Sequence, residues 1–450
     1  MTRLSALLGR PIDPDVAVTA LTADSRAVAP GALFAAFAGA KADGAAYVDQ
    51  AVEKGAVAVL AADGATLPPL PAGVACVRAP VPRRLYAQIA ARFFGPPPDV
   101  MAAVTGTNGK TSTVTFAAQI WRALGACAGS LGTVGAVGPG YAKALAHTTP
   151  EPVALHQTLA EMRAAGLTHV AMEASSHALD QSRVDGLAFD VAAFTNITQD
   201  HLDYHPTFED YFAAKARLFT DRLRGGGVLV VNADGAGADR VAALAAGQKR
   251  RLLTTGRGGD TVRLERAEPT AAGLSLTVSL GGPARTVSLP VIGAFQAENA
   301  LVAVGLVAAT GYDLDAAFGA LGGVCGPPGR MQLVARAGGG AAIVDYAHTP
   351  AAIEAAIAAA RPHVSGKLIA LIGAGGDRDA AKRAPMGAAG ASADLLIVTD
   401  DNPRSEDPAV IRNAVLQGAP GAVEIADRGE AINYGAAQLS DGDVFLIMGK

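Results

Sequence analysis

The chain reads as an α/β protein of three domains whose central domain is a doubly wound parallel sheet, and three observations predict this. Short apolar runs alternate with helical stretches over most of the sequence. Two glycine-proline clusters, Gly95-Pro-Pro-Pro98 and Gly322-Gly-Val-Cys-Gly-Pro-Pro-Gly329, break it into three. At 450 residues it also exceeds what one hydrophobic core ordinarily organises.

The prolines at 96–98 cannot continue a helix and lack ladder donors, so domains are expected over 1–97, 98–326 and 327–450. In the central domain, Val100 to Val104, Thr168 to Met172, Phe189 to Phe194 and Val228 to Val231 read as buried parallel strands. From about Arg251 to Leu289 shorter alternating runs such as Leu274-Ser-Leu-Thr-Val-Ser-Leu280 predict antiparallel sheet at the edge of that domain. Beyond the second joint, Ile343-Val-Asp345, Leu368 to Gly373, Leu395 to Asp400 and Val444 to Met448 read as strands running into polar residues or glycine. Ligands of open α/β sheets sit beyond the carboxyl ends of strands, so these endings are where a site is sought.

Half the residues are hydrophobic, 17% are charged, and the net charge is -4, the balance of a soluble globular chain. A pI of about 6.1 argues against a nucleic-acid partner. No apolar span is long enough for a membrane helix, and the segment Met1 to Gly9 runs into Pro11 and Asp13 without a signal-peptide pattern. Cys76, Cys127 and Cys325 lie far apart with no C-x-x-C pair, which disfavours a disulfide framework or cysteine zinc site and suits the reducing cytoplasm.

Gly106-Thr-Asn-Gly-Lys-Thr111 follows a predicted strand and precedes an amphipathic stretch from about Ser112 to Leu124. In that context the backbone N–H groups of Gly106, Thr107, Asn108, Gly109 and Ser112 can cradle phosphate oxygens. Lys110 can reach the terminal phosphates, and the Thr111 hydroxyl can ligate Mg²⁺. The spacing departs from the usual G-x-x-x-x-G-K-[ST], because Val104 stands where the first glycine would be. Further on, Thr195-Asn-Ile-Thr-Gln-Asp-His-Leu-Asp-Tyr-His205 follows the Phe189 strand. Its histidines and aspartates suit metal or phosphate work, although His201 alone could be a solvated or capping residue. Glu173, ending another strand, either ligates Mg²⁺ or caps a turn.

Together with Glu173-Ala-Ser-Ser-His177 and Tyr211-Phe-Ala-Ala-Lys-Ala-Arg-Leu-Phe219, these stretches resemble the Mur ligases, the ATP-dependent enzymes that add amino acids to peptidoglycan precursors. The resemblance covers essentially the whole chain. Ser25-Arg26 with Pro30-Gly-Ala-Leu-Phe34 is similar to the family's UDP-binding N-terminal α/β domain. Asp345-Tyr-Ala-His-Thr-Pro350 with Gly373-Ala-Gly-Gly-Asp-Arg-Asp379 is similar to its Rossmann-like, amino-acid-binding C-terminal domain. Between them the resemblance implies a P-loop ATPase-like centre.

Asp400-Asp-Asn-Pro-Arg404 resembles the signature of the family members that use meso-2,6-diaminopimelate. Diaminopimelate differs from lysine by one carboxylate, and a guanidinium offers a fixed bidentate fork for it. A site built around that pair should reject lysine, which leaves the arginine unpaired. Taken alone, Asp-Asn-Pro-Arg is also a good turn after a strand.

The resemblance implies ATP and Mg²⁺ as cofactors, with UDP-N-acetylmuramoyl-L-alanyl-D-glutamate and meso-2,6-diaminopimelate as partners of a monomeric enzyme. It implies Thr111, Glu173, His201 and a carbamylated Lys215 as neighbours of the metal, and catalytic roles for Lys110, Lys215 and His201. Ser25 and Arg26 match the UDP site, Thr148 and Thr149 the acyl-peptide site, and Ser175, Gln181 and Arg183 the muramoyl-dipeptide contacts. Asn299, Arg330, Asp345 and His348 match positions around adenosine and ribose, with Gln296 where the family usually has asparagine. Arg378, Asp401, Asn402, Pro403, Arg404 and Gly449 match the amino-acid site. The family pattern continues past Met448-Gly-Lys450 into Gly-His-Glu and a closing helix, whose glutamate holds the amine end of diaminopimelate.

Overall fold

The computed structural model describes residues 1–39, 43–198, 200–201, 204–270, 273–377 and 380–449. The chain forms two compact units, one of residues 1–114, 125–253 and 309–311, the other of residues 115–124, 254–308 and 312–450.

Besides a two-stranded antiparallel ladder of Thr2–Arg3 with Ala17–Val18, the first unit contains two larger sheets. Strands Ala20–Thr22, Ala32–Ala35, Ala58–Ala62 and Ala75–Ala79 pair in parallel in sequence order. Both faces are covered: Leu33, Leu60 and Val77 pack with Tyr86 and Ile89, while Phe34 and Val59 pack with Val28 and Val48. That is why Ala58-Val-Leu-Ala-Ala62 is apolar without alternation. The helix Pro82–Phe94 starts with proline at its first turn, where a missing N–H costs nothing, and buries Tyr86, Ala87, Ile89 and Ala90.

In the second sheet, Ala128–Gly132, His169–Glu173, Val100–Thr105, Phe189–Phe194 and Leu223–Asn232 lie side by side, all parallel. The earliest strand in sequence, Val100–Thr105, is thus flanked on both sides, and its carboxyl end opens between two neighbouring loops. All four expected central strands are present. The last begins earlier than expected, at Leu223, and runs through Gly225-Gly-Gly227, a stretch that in sequence resembles a turn.

In the second unit, Val262–Thr270, Gly273–Ser279 and Arg285–Leu289 form the expected antiparallel meander. One expectation is corrected: Arg251–Gly256 pairs with Val262–Thr270 in parallel, through Thr255↔Val262 and Gly256↔Arg263. The pairing touches only the end of one strand and the start of the next, so a short connection suffices and no hairpin forms.

A six-stranded sheet follows in the order Gln332–Ala337, Gly340–Asp345, Val444–Met448, Leu368–Ile372, Leu395–Val398, Val423–Glu424. The first pair is an antiparallel hairpin and the rest are parallel. Helices Pro350–Ala360, Pro408–Leu416 and Arg428–Ala437 each start at a side-chain cap, from Thr349, Asp407 and Asp427. Ile343, Leu368, Ala370, Ile372, Val398 and Leu446 fill one face with Ile353, Ile357 and Met386. The carboxyl ends of Leu368–Ile372 and Leu395–Val398 are in register, so the loops after them leave the sheet together. Among the described residues no helix is long and apolar enough to cross a membrane.

Candidate active site

In the first unit, the Val100–Thr105 strand feeds the glycine loop, and a helix begins at Lys110. Gly106 has φ 149, and a Cβ there would stand 2.0 Å from Thr195 Oγ1 and 2.9 Å from the Asn196 carbonyl, so only glycine lets the loop pass. The next strand's loop grips it. Thr107 N donates to Asn196 O at 2.8 Å, Asn108 N to Asn196 Oδ1 at 3.1 Å, and Thr195 Oγ1 to Asn108 O at 2.6 Å. The Thr107 hydroxyl lies 3.0 Å from Tyr211 OH.

Helix Phe208–Arg217 closes the other side. Thr207 caps it by accepting from Asp210 N, acidic Glu209 and Asp210 occupy its first turn, and Lys215 and Arg217 its last. Tyr211 and Lys215, four apart, share its inner face and are buried, the Lys215 amine 4.5 Å from the Tyr211 ring centre. Lys215 Nζ donates to Gly106 O at 2.8 Å, and Lys110 Nζ donates to the same carbonyl and to Thr107 O at 2.9 Å each. Two amines thus converge on one oxygen. Burial, reinforced by the charge of Lys110, depresses the Lys215 amine well below its ordinary value. The helix end is fixed by Asp185, a fully buried carboxylate 2.9 Å from both Arg217 and Arg84.

A connected polar cluster surrounds the end of the His169–Glu173 strand. Glu173 is 1% exposed; its Oε1 accepts the Thr133 N–H at 2.8 Å and its Oε2 faces the Thr133 hydroxyl at 3.3 Å. The Thr133 and Thr148 hydroxyls are 3.0 Å apart, and Thr149 Oγ1 donates to Glu173 O and accepts from Ser175 N. Ser175 caps the short helix Ser176–Asp180. Arg183 donates to Thr149 O at 3.0 Å, to Gln181 Oε1 at 2.6 Å through Nη2, and pairs with Glu151 at 3.0 Å. Gln181 in turn reaches Tyr204 OH. Of the expected site residues, Thr148, Thr149, Glu173, Ser175, Gln181 and Arg183 are thereby brought into one network. Glu173 does cap a turn in this arrangement.

Thr133 is the member that sequence reading missed; its signal is a hydroxyl directly after a strand ending in glycine. His201, at φ 54, sits with its ring 4.8 Å from that of His177 and 3.6 Å from Asp200 Oδ2. Among the described residues no three His, Cys, Asp or Glu side chains gather as a metal shell.

Ser25 and Arg26 lie in a one-turn 3₁₀ helix capped by Asp24, which also takes the exposed Arg26 guanidinium at 2.8 Å. Arg26 and its own backbone N–H lower the Asp24 carboxyl to about 2.

In the second unit, Asn299 is buried and donates to Gln296 Oε1 at 3.0 Å. Arg330 lies 5.0 Å over the Tyr346 ring, whose carbonyl is 2.9 Å from His348 Nδ1. Asp345 accepts the N–H groups of Met331 and Ala347 at 2.8 Å each, and burial still raises its carboxyl above the usual range. Arg330, Asp345 and His348 are therefore neighbours, while the contact given for Asn299 is with Gln296.

The Asp400-Asp-Asn-Pro-Arg404 segment follows Leu395–Val398 and is a turn: Asp401 Oδ1 accepts Asn402 N, and Asn402 Oδ1 accepts Arg404 N. Arg404, exposed and at φ 50, donates through Nη1 to Gly376 O in the loop beside it. Gly449 borders Gly373 and Asp401. Pro403 packs against Gly376, where a Cβ would meet the Pro403 carbonyl at 1.9 Å. Arg378 lies outside the described residues. Sequence reading missed Asp377, Arg383 and Glu406, which bind these loops together.

Comparison with known proteins accounts for this arrangement. Family profiles match residues 17–94 as the Mur ligase family catalytic domain, 104–307 as the Mur ligase middle domain and 329–450 as the Mur ligase glutamate ligase domain. A UDP-N-acetylmuramoyl-L-alanyl-D-glutamate--2,6-diaminopimelate ligase of Caulobacter vibrioides is 48% identical over 456 residues, covering 100% of this chain and 93% of the relative. The enzyme of that name from Agrobacterium fabrum is 46% identical over 437 residues, covering 97% and 88%. A solved structure of a ligase of the same name superposes with a TM-score of 0.76 at 32% identity, covering 100% of this chain and 93% of the other. With a glycine loop on which Lys110 and the buried Lys215 converge, and three successive family matches on one polypeptide, the chain belongs to the Mur ligase family.

Proposed function

We propose that this chain is an ATP-dependent ligase that joins meso-2,6-diaminopimelate to the D-glutamyl carboxylate of UDP-N-acetylmuramoyl-L-alanyl-D-glutamate. The observation that carries the reading is near-full-length identity of 46–48% to ligases of that name, together with Arg404 in a strand-end loop of the C-terminal sheet. The γ-phosphoryl group of ATP passes to a carboxylate oxygen, releasing ADP. The amine then attacks the acyl carbon, phosphate leaves, and the nitrogen loses a proton.

The chain's own work is positioning and charge stabilisation. The N–H groups of the 106–112 loop receive phosphate oxygens, and Lys110 moves from its loop carbonyls onto the terminal phosphate. Arg183, Thr148, Thr149, Ser175 and Gln181 orient the acyl dipeptide, and Ser25 with Arg26 receives the UDP end. Asn299, Arg330, Asp345 and His348 border the adenosine, and Arg404 with Asp401, Asn402 and Gly449 reads the distal carboxylate of diaminopimelate.

The hydroxyl of Thr111 and the buried carboxylate of Glu173 are oxygen donors that would suit Mg²⁺, carbamylation would add an oxygen ligand at Lys215, and His201 joins them on the family pattern alone. When bound, Mg²⁺ would neutralise charge on the phosphates. A buried amine with a depressed pKa is in the neutral form that reacts with carbon dioxide, which supports carbamylation at Lys215. The three cysteines are free, which suits a reducing compartment.

The test is phosphate release from ATP and Mg²⁺ with the UDP-muramoyl-dipeptide, comparing diaminopimelate with lysine. Turnover with diaminopimelate well above that with lysine is expected. Equal or better turnover with lysine would make this a lysine-adding ligase, and no release with either would make it a silent ATP-binding homologue.

A further inference from the structure

We infer that Glu406, together with Arg383, is a positioning residue that locks the 373–377 and 399–407 loops into one amino-acid-reading unit and so sets where Arg404 points. This rests on the reading of Arg404 given above. Glu406 Oε1 accepts the Asp377 backbone N–H at 2.6 Å and Arg383 Nη2 at 2.8 Å. The Arg383 side chain is only 4% exposed, at the start of helix Arg383–Gly390, and among the described residues Glu406 is the carboxylate that pairs with it.

Asp377 returns the contact: its carboxylate accepts Ser405 Oγ at 2.7 Å and Ser405 N at 3.2 Å. Gly376 N donates to Asn402 O at 2.9 Å, and Gly376 O accepts from Arg404. The two loops are thus bonded at every residue from Gly376 to Asp377 and from Asn402 to Glu406 save Pro403, which packs on Gly376.

Backbone conformation points to the same role. Asp377 and Arg404 both adopt left-handed φ, 51 and 50, although neither is glycine. Such conformations persist only where surrounding bonds over-determine them. The Glu406 carboxylate supplies that constraint on the Asp377 side, and the Asp377–Ser405 clasp carries it to the residue next to Arg404. A guanidinium reads a carboxylate through a planar fork, so a small rotation of its arm loses one of two parallel bonds.

Steady-state kinetics on the full chain test this, with the wild type first shown to prefer diaminopimelate to lysine. Failure of that step overturns the proposed function and not the positioning. Arg404→Ala sets the scale of losing the fork. Glu406→Ala should raise KM for diaminopimelate by about 10- to 100-fold and lower discrimination against lysine. KM for ATP and for the nucleotide-sugar should stay within about twofold of wild type. Glu406→Gln, which keeps an acceptor oxygen, should recover part of the loss.

An unchanged KM for diaminopimelate, or equal losses for all three substrates, overturns the inference. Where Glu406→Ala fails to fold, Ser405→Ala decides. It removes only the side-chain half of the clasp and should raise the same KM severalfold; no change there is equally fatal.

Discussion

The loop proposed to hold phosphate and the loops proposed to read diaminopimelate both follow parallel strands, yet they are held in different ways. Around Gly106 the hydrogen-bonded grip is backbone and neutral side chains: Asn196 O, Asn196 Oδ1, Thr195 Oγ1 and Tyr211 OH, with the amines of Lys110 and Lys215 beside it. Around Arg404 backbone contacts at Gly376 are joined by charged side chains: Arg383 pairs with Glu406, and the Asp377 carboxylate takes the Ser405 hydroxyl. The first arrangement has to present a fixed set of N–H groups to any phosphate. The second has to tell one amino acid from another, and a charge network can be retuned by a single substitution without rebuilding the backbone.

Removing the charge from the first region should have the largest effect. Lys110→Ala is expected to lower kcat for phosphate release by about 10² to 10³-fold, the usual loss when one stabilising group is taken from a developing charge. Diaminopimelate KM should move little. A loss expressed mainly in diaminopimelate KM would erase the division of labour between the regions.

Gly106→Ala and Gly376→Ala sharpen the contrast, since each adds a Cβ within about 2 Å of a neighbour. Gly106→Ala also imposes a side chain at φ 149 against Thr195, which is itself bonded to the loop. It should destabilise by about 1–3 kcal/mol and abolish ATP use. Gly376→Ala pushes Pro403 outward and should raise diaminopimelate KM with a smaller fall in thermal midpoint. Thermal melts alongside substrate KM values distinguish the two; equal falls in midpoint would show that both loops are equally rigid.

The parts of the molecule legible in sequence are those in which neighbouring residues cooperate. Val100 to Thr111 carries strand, turn and helix start on one short segment, and Thr207 with Glu209 and Asp210 announces a helix. Thr133 and Glu406 were not legible because their partners are brought to them by tertiary structure. Thr133 meets Glu173 only because their strands are adjacent and parallel, and Arg383 meets Glu406 because two loops leave one sheet together. Nor did the Asp345 motif disclose that its carboxylate is taken by two backbone N–H groups. The parallel pairing of Arg251–Gly256 escaped because two register positions leave no periodic trace.

The smallest expected effect concerns stability at Lys215, and there the sign separates structure from function. The amine is 2% exposed and depressed below its ordinary 10.5 by burial first and Lys110 second. Between the folded value and 10.5 the unfolded chain binds one proton more than the folded chain, so wild-type stability rises with pH across that window. Lys215→Met removes the linkage, fills similar volume, and leaves the Gly106 carbonyl bonded to Lys110. In buffer freed of carbon dioxide it should be the more stable protein at neutral pH while losing ligase activity. Its advantage should shrink as pH approaches 10.5. A methionine variant less stable than wild type at neutral pH would mean that the buried amine is charged where it lies, and the case for a carbamate at this position would lose its physical basis.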